Sequence, residues 1–443
     1  MSHWRLLAWL LRLRRCEHLS RAKLRRLQEE KFRRLVRHAG TTVPLYRELW
    51  RAAGVDLAEI GTLEDLERLP IVTREQLQAA GSDARSDAYD SDRLVCERTS
   101  GSSGRPLALW MEPEHRDLRR SLFLRALLAS GYRPGRRVVL VREAARSPIP
   151  VPGWHQLPHD GDPELLAAEI LRLRPRLVYG WVSVLRLVAE ALESLQPSGS
   201  MESHGVGRGG AKRLRASVLT TAETLDPTSR AVLERAFGGR VHEAYGSTEL
   251  GMVGWQCGRG EGLHVAEDVV WIEGLEDGAS REPRPLVATN LDLLAMPLVR
   301  YETGDAVGPA LSGACACGSP RRRLAGIEGR LVDCVRLPSG GVVSPYRLTL
   351  ALEGIAGLDR YRILQSAPTR VEVSYQASAA ADHKAIEDAA RHRLRGELGP
   401  TVDVTVERRS DLGAPAGGKF RVVESRVESR VESRVESGIG ACA

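Results

Sequence analysis

The sequence predicts an α/β protein of more than one domain, with a β-rich section after the α/β part. Three observations lead there. Between residues 107 and 237, short apolar runs alternate with helical patterns, and such alternation implies α/β layers. Residues 269–272 and 297–301 then read as strands. At 443 residues, the chain exceeds what one hydrophobic core organises.

The elements follow in order. Leucines at every third or fourth position predict a helix over 6–39, ended by Gly40 and Pro44. Residues 62–80 carry a second helical pattern, capped by Thr62 with Asp65 following. Residues 94–98 lead into a Gly/Ser loop, and 107–111 alternate like a short strand. Helices are predicted over 113–131, 163–173, 181–195 and 227–237, with strands at 137–141, 177–179 and 216–220. Residues 197–210, rich in Gly and Ser, read as a mobile excursion. Further on, 361–373 is strand-like, 379–398 helical and 402–406 a strand. From 423 to 437 the unit Val-Glu-Ser-Arg repeats. Its period stacks like residues on one helical stripe and spaces Glu for Arg. The apolar stripe is thin, so a frayed helix or disorder is expected.

Composition narrows the function classes. The chain is 42% hydrophobic, but arginines break its longest apolar runs, so no membrane span is expected. Residues 1–15 are hydrophobic yet carry Arg5, Arg12, Arg14 and Arg15, and lack a signal-cleavage pattern. They read as a surface amphipathic helix, with a membrane-interface anchor as the alternative. The net charge is +7. Its arginines mingle with acids and few aromatics, which fits solvated faces and anionic substrates rather than nucleic acid. Seven cysteines, at 16, 96, 257, 315, 317, 334 and 442, do not space like a secreted disulfide scaffold. A reducing cytoplasm is expected.

The most informative stretch is Arg98-Thr99-Ser100-Gly101-Ser102-Ser103-Gly104-Arg105-Pro106. Glycines allow close backbone approach to a ligand. Successive amides, with the hydroxyls of Thr99, Ser100, Ser102 and Ser103, can form a concave anion site. A polyphosphate is the natural guest, although Ser/Gly-rich linkers have a similar composition. Three further segments narrow the choice: Glu243-Ala-Tyr245-Gly246-Ser247-Thr248-Glu249-Leu-Gly251, Arg300-Tyr-Glu-Thr-Gly304-Asp305 and Gly417-Gly418-Lys419-Phe420-Arg421.

In this order the four segments resemble the core motifs of the adenylate-forming superfamily of acyl-CoA synthetases, adenylation domains and luciferases. The resemblance runs from about residue 43 to 423. The branch it resembles is the phenylacetate–CoA ligase-like group, whose entry segment is similar to His38-Ala39, Thr42-Val43-Pro44, Tyr46 and Leu69-Pro70. The resemblance implies a large domain over 1–329 that binds ATP and a carboxylic acid. Gly329-Arg330 resembles the hinge, after which a small mobile α+β domain spans 330–423 and a low-complexity tail spans 424–443. Many relatives carry two acidic residues after that arginine; here Val332-Asp333 keeps one.

The implied chemistry is activation of a carboxylate as acyl-AMP, followed by acyl transfer to a thiol, with coenzyme A as co-substrate. An amine, a hydroxyl or a carrier-protein thiol is the alternative acceptor, and a non-catalytic nucleotide-binding homologue is a second alternative. By resemblance, Thr99 to Arg105 cradles the β- and γ-phosphates, with Gly101 and Gly104 in the loop. Arg105 stands where many relatives have lysine, keeping the charge in a planar fork. Tyr245 would stack on adenine, beside Gly246 and Ser247. Thr248 would bond the α-phosphate and Glu249 a magnesium ion, in keeping with a hydroxyl donor and a hard oxygen ligand. Asp305 would accept the ribose hydroxyls, and Arg330 would reach ribose or phosphate. Lys419 would join carboxylate and α-phosphate oxygens during adenylation. Many relatives activate aryl acids, so an aryl or related acid is the substrate the resemblance implies. Partners are a small-molecule carboxylic acid, with a carrier protein or a second copy of the chain also admitted.

Cys257, His264, Cys315 and Cys317 make a separate signal. Three thiolates and an imidazole complete a tetrahedral zinc set with no open position, hence a structural site. Their spacing is not that of a compact zinc finger. Some members of the resembled group have a comparable constellation.

Overall fold

The computed structural model describes residues 3–99, 106–143, 151–195, 213–274, 283–358, 360–378, 381–412 and 421–427. Two helices, α1 (His3–Glu17) and α2 (Arg21–Thr42), replace the single one expected over 6–39. Ser20 caps α2, its Oγ accepting from the Lys23 amide at 3.4 Å. Gly40 does not stop α2. A Cβ there would lie 2.5 Å from Leu57 Cδ1 and 3.0 Å from Trp50 Cζ3, so this glycine serves close packing. Pro44 sets the boundary. Val43 is extended (φ −113°, ψ 114°), as a residue before proline tends to be, and helix α3 (Pro44–Ala52) opens on the proline.

The pattern over 62–80 also divides. Leu63–Arg68 winds as a 3-10 turn under Thr62, whose amide donates to Asp65 Oδ2 at 2.8 Å. Pro70 interrupts. The Val72 amide then donates to the Arg300 carbonyl at 3.0 Å, and helix α4 (Arg74–Ala80) starts under a Thr73 cap. Strands β1 (Val95–Arg98) and β2 (Ala108–Met111) pair antiparallel. Residues 100–105 between them lie outside the described residues.

After helix α5 (Pro113–Ala129) the expected alternation appears as β3 (Val138–Arg142), β4 (Trp154–Pro158), α6 (Pro163–Leu173), β5 (Leu177–Trp181), α7 (Val182–Leu195), β6 (Ser217–Thr221), α8 (Pro227–Phe237) and β7 (Val241–Ser247). The strands lie in the order β4-β3-β5-β6-β7, all parallel. Val139, Val141, Val178 and Val218 pack with α6, α7 and α8. Val138, Leu140, Leu177 and Leu219 belong to the core on the α5 side. The two-residue period of a strand thus feeds two apolar layers from one sheet. The excursion expected at 197–210 lies outside the described residues.

From β7 the sheet continues antiparallel through β8 (Gly251–Trp255) and β9 (Leu263–Val265). A second sheet begins with β10 (Val270–Ile272), β11 (Arg284–Asn290) and β12 (Tyr301–Val307). Strands β13 (Ala310–Leu311) and β14 (Arg323–Leu324) return to the first sheet beside β9, and β15 (Ile327–Arg330) pairs with β12. The strand expected at 297–301 starts only at Tyr301. Arg300 sits at φ +50°, uncommon for a non-glycine residue. Its guanidinium is held by Glu273 at 2.7 Å and the Glu67 carbonyl at 3.1 Å. Long-range contacts fix this bend, so local pattern could not reveal it.

The remaining elements are β16 (Val335–Arg336), β17 (Val342–Val343), α9 (Pro345–Leu352), β18 (Arg360–Ala367), β19 (Arg370–Gln376), α10 (His383–Leu398), β20 (Asp403–Arg408) and β21 (Val423–Ser425). Residues 361–373 form a hairpin rather than one strand. Strand β21 pairs parallel with β18, so the first Val-Glu-Ser unit is a strand, not the start of a frayed helix. Residues 428–443 lie outside the described residues. Buried apolar side chains from Val335 to Val423 form a cluster of their own.

Candidate active site and thiol cluster

Parallel α/β sheets bind ligands beyond the carboxyl ends of their strands, near the point where strand order reverses. Here the reversal falls between β3 and β5, because β4 and β5 flank β3 on opposite sides. The second motif emerges at the carboxyl end of β7, in the same sheet. Gly246 makes the hairpin to β8 close: a Cβ there would lie 2.5 Å from the Gly251 carbonyl oxygen. Ser247 Oγ accepts from the Leu250 amide at 3.1 Å, holding the turn that carries Thr248 and Glu249.

Tyr245 and Asp305, sixty positions apart, meet directly. The Tyr245 hydroxyl donates to Asp305 Oδ2 at 2.7 Å. Arg330 Nε stands 3.4 Å from Asp305 Oδ1, because β12 and β15 place the two residues opposite each other. Burial, followed by the Asp305 carboxylate, raises the Tyr245 phenol well above its ordinary value. It therefore remains a donor. The Asp305 amide is itself bonded to Thr303 Oγ1 at 3.1 Å.

A second junction joins Glu249 to the glycine-rich loop. Arg74 donates from Nη1 to Glu249 Oε1 at 2.8 Å and from Nη2 to Thr99 Oγ1. The Tyr301 hydroxyl also donates to Glu249 Oε1, at 3.3 Å. Thr99 is fixed at the loop's base: its amide donates to the Leu107 carbonyl at 3.0 Å, and its Oγ1 accepts the Leu107 amide at 2.9 Å. Sequence reading missed Arg74 and Tyr301. Tyr301 was visible inside the Arg300–Asp305 motif, but Arg74 lay in an ordinary helix start with no pattern of its own. Ser100, Gly101, Ser102, Ser103, Gly104, Arg105 and Lys419 lie outside the described residues. Arg421, two positions after Lys419, reaches Asp333 at 3.4 Å, close in sequence to Arg330.

The four metal candidates do converge. Ligand atoms of Cys257, His264, Cys315 and Cys317 all lie within 4.8 Å of one another. Cys257 follows β8, His264 is in β9, and the other two sit between β13 and β14. The pairing of His264 with Arg323 brings these segments together. Cys257 Sγ is 3.6 Å from Cys315 Sγ, and Cys317 Sγ is 3.5 Å from His264 Nε2. Burial, then Arg323 and Arg321, lowers the His264 pKa to about 4, leaving the neutral imidazole that binds metals. Burial, with the neighbouring thiols Cys315 and Cys257, raises the Cys317 pKa to about 11. A divalent cation favours the thiolate instead. A Cβ on Gly260 would come 2.3 Å from Cys315 Sγ, so the loop wraps the cluster tightly. Donor chemistry and spacing both fit a structural zinc ion.

No protein-family model matches the chain. The phenylacetate-coenzyme A ligase of Thermus thermophilus is 26% identical over 449 residues, covering 92% of this chain and 97% of that protein. The Escherichia coli protein of the same name is 24% identical over 441 residues, covering 91% and 95%. Among solved structures, 2-hydroxyisobutyryl-CoA ligase in the postadenylation state with R3-HIB-AMP aligns at a TM-score of 0.76. That alignment has 20% identity and covers 96% of this chain and 93% of that one. The chain has the fold of the adenylate-forming enzymes. In sequence it is similar to phenylacetate-coenzyme A ligases along nearly its whole length.

Proposed function

We infer that the protein is an ATP-dependent, AMP-forming carboxylate ligase that transfers its activated acyl group to coenzyme A. The observation that carries this reading is the convergence of separate motifs on one site: Tyr245 and Arg330 on Asp305, and Arg74 joining Glu249 to Thr99. A substrate carboxylate oxygen attacks the α-phosphorus, and the bond to pyrophosphate breaks. A thiol then attacks the acyl carbonyl, and AMP leaves. Thr248 and Lys419 stabilise charge at the α-phosphate. Thr99 and the loop to Arg105 hold the outer phosphates, with Arg74 positioning the loop's base. Asp305, fixed by Tyr245, takes the ribose. Glu249 would hold a magnesium ion, whose charge would offset that of the phosphates.

Residues from Arg330 onward act as a small mobile domain that carries Lys419 toward and away from the site. Their separate apolar cluster supports this. The acid is an aryl or related carboxylate. The test is pyrophosphate release over a panel of aryl and alkyl carboxylic acids, with and without coenzyme A. Release that depends on an acid, with an acyl-CoA product, is expected. No acid-dependent release with any member would overturn the reading.

A zinc ion held by Cys257, His264, Cys315 and Cys317 would staple the β8–β9 turn to the β13–β14 turn. Purified protein should contain about one zinc per chain, and Cys315→Ser should lose it together with thermal stability, since binding at such sites is coupled to folding. Metal analysis finding folded, stable protein without zinc would count against the assignment.

A further inference from the structure

Helix α1 has two apolar faces. Leu6, Trp9, Leu10 and Leu13 point inward, and Leu13 and Trp9 join the core on the α5 side. The other face holds Trp4, Leu7 and Leu11, which are 79%, 45% and 50% exposed. At 3.6 residues per turn these three fall within about 60° of one another, opposite the packed face. They form a stripe rather than scattered surface residues.

The stripe's surroundings are basic. Arg5, Arg12, Arg14 and Arg15 are all exposed, and the first acid on the helix is Glu17. Arg5 and Arg12 lie on one flank, Arg14 on the other, and Arg15 continues the outer face. Arg5 is paired with Glu114 at 2.9 Å, and Arg12 lies over the Trp9 ring.

We propose that α1 docks the protein lengthwise on an anionic phospholipid surface, with Trp4, Leu7 and Leu11 entering the headgroup boundary and the flanking arginines meeting lipid phosphates. Charge selects this occupant. A symmetric contact between two copies would set the same four arginines against each other. A lipid surface rich in phosphate instead attracts each of them, and long arginine stems reach headgroups beside an inserted apolar stripe. The helix lies on the membrane rather than through it: no helix among the described residues is long and apolar enough to cross one.

The experiment is co-sedimentation of the full chain with vesicles of phosphatidylcholine alone and of equal phosphatidylcholine and phosphatidylglycerol. Binding should favour the anionic vesicles by at least about tenfold and fall in high salt, since each basic residue near such a surface contributes roughly fivefold. Leu7→Glu combined with Leu11→Glu should abolish binding while leaving pyrophosphate release in the absence of vesicles unchanged, because neither residue touches the nucleotide site. Equal binding of wild type and double variant, or no preference for anionic vesicles, would overturn the proposal. So would a concentration-dependent dimer abolished by the same variant, which would assign the stripe to a second copy.

Discussion

Replacing Lys419 with alanine is expected to slow acyl-adenylate formation on the order of 100-fold or more, while ATP binding changes only a few-fold. The size follows from the role. A preorganised cation that meets charge developing at the α-phosphate acts mainly in the transition state, and losing one such donor costs about 3–4 kcal/mol. In the proposed site, ground-state ATP binding would rest on other groups: the loop from Thr99, Asp305 and Glu249. Pyrophosphate exchange measures the first quantity, and equilibrium nucleotide binding the second. Wild-type exchange in the variant would remove Lys419 from the mechanism. Parallel losses in exchange and binding would make it an ordinary ATP contact.

The largest expected stability effect lies away from that site. Asp268 is buried between two guanidiniums, with Arg125 Nη1 at 2.7 Å and Arg321 Nη1 at 2.9 Å, and all three side chains are at most 3% exposed. Glu267 beside it binds Arg21 at 2.7 Å and Arg322 at 2.8 Å. This network ties α2, α5 and the β9–β10 turn to the segment that leads into β14. Removing one member of a buried charge set leaves the others desolvated, and Asp268→Ala should lose about 3–5 kcal/mol. Asp268→Asn, which keeps the shape, should lose less.

The pH dependence has a definite sign. Burial alone would raise the Asp268 carboxyl, but Arg125 and Arg321 outweigh it and hold it well below the ordinary carboxylate range. A depressed folded pKa gives stability that is present above the unfolded value of about 3.9 and lost as pH falls toward the folded one. Wild type should therefore weaken in acid more steeply than Asp268→Asn. Denaturant unfolding from pH 7 to pH 3 measures both effects. Identical midpoints for the three proteins at neutral pH would show that the network carries no net stability.

Sequence alone was enough for what depends on local period and local chemistry. The alternation from β2 to β7 was legible because strands and helices bury apolar residues at different periods, and the prolines at 113, 163 and 227 mark helix starts. The candidate nucleotide motifs could be nominated because their order resembles that of a known superfamily, and their side chains suit phosphate, ribose and metal. The four thiol-cluster residues could be nominated because few residue types bind zinc.

Only the tertiary structure decided what depends on distant partners. It split 6–39 at Ser20 and assigned Gly40 to packing against Leu57 and Trp50. It bent the chain at Arg300 through Glu273, where no local preference favours a positive φ. It brought Arg74 to Glu249 and Thr99, and put Tyr245 on Asp305, because sheet pairing joins segments far apart in the chain. It also exposed the outer stripe of α1. A helical pattern of leucines shows that a helix has an apolar face, but only the position of α5 shows which face is already covered.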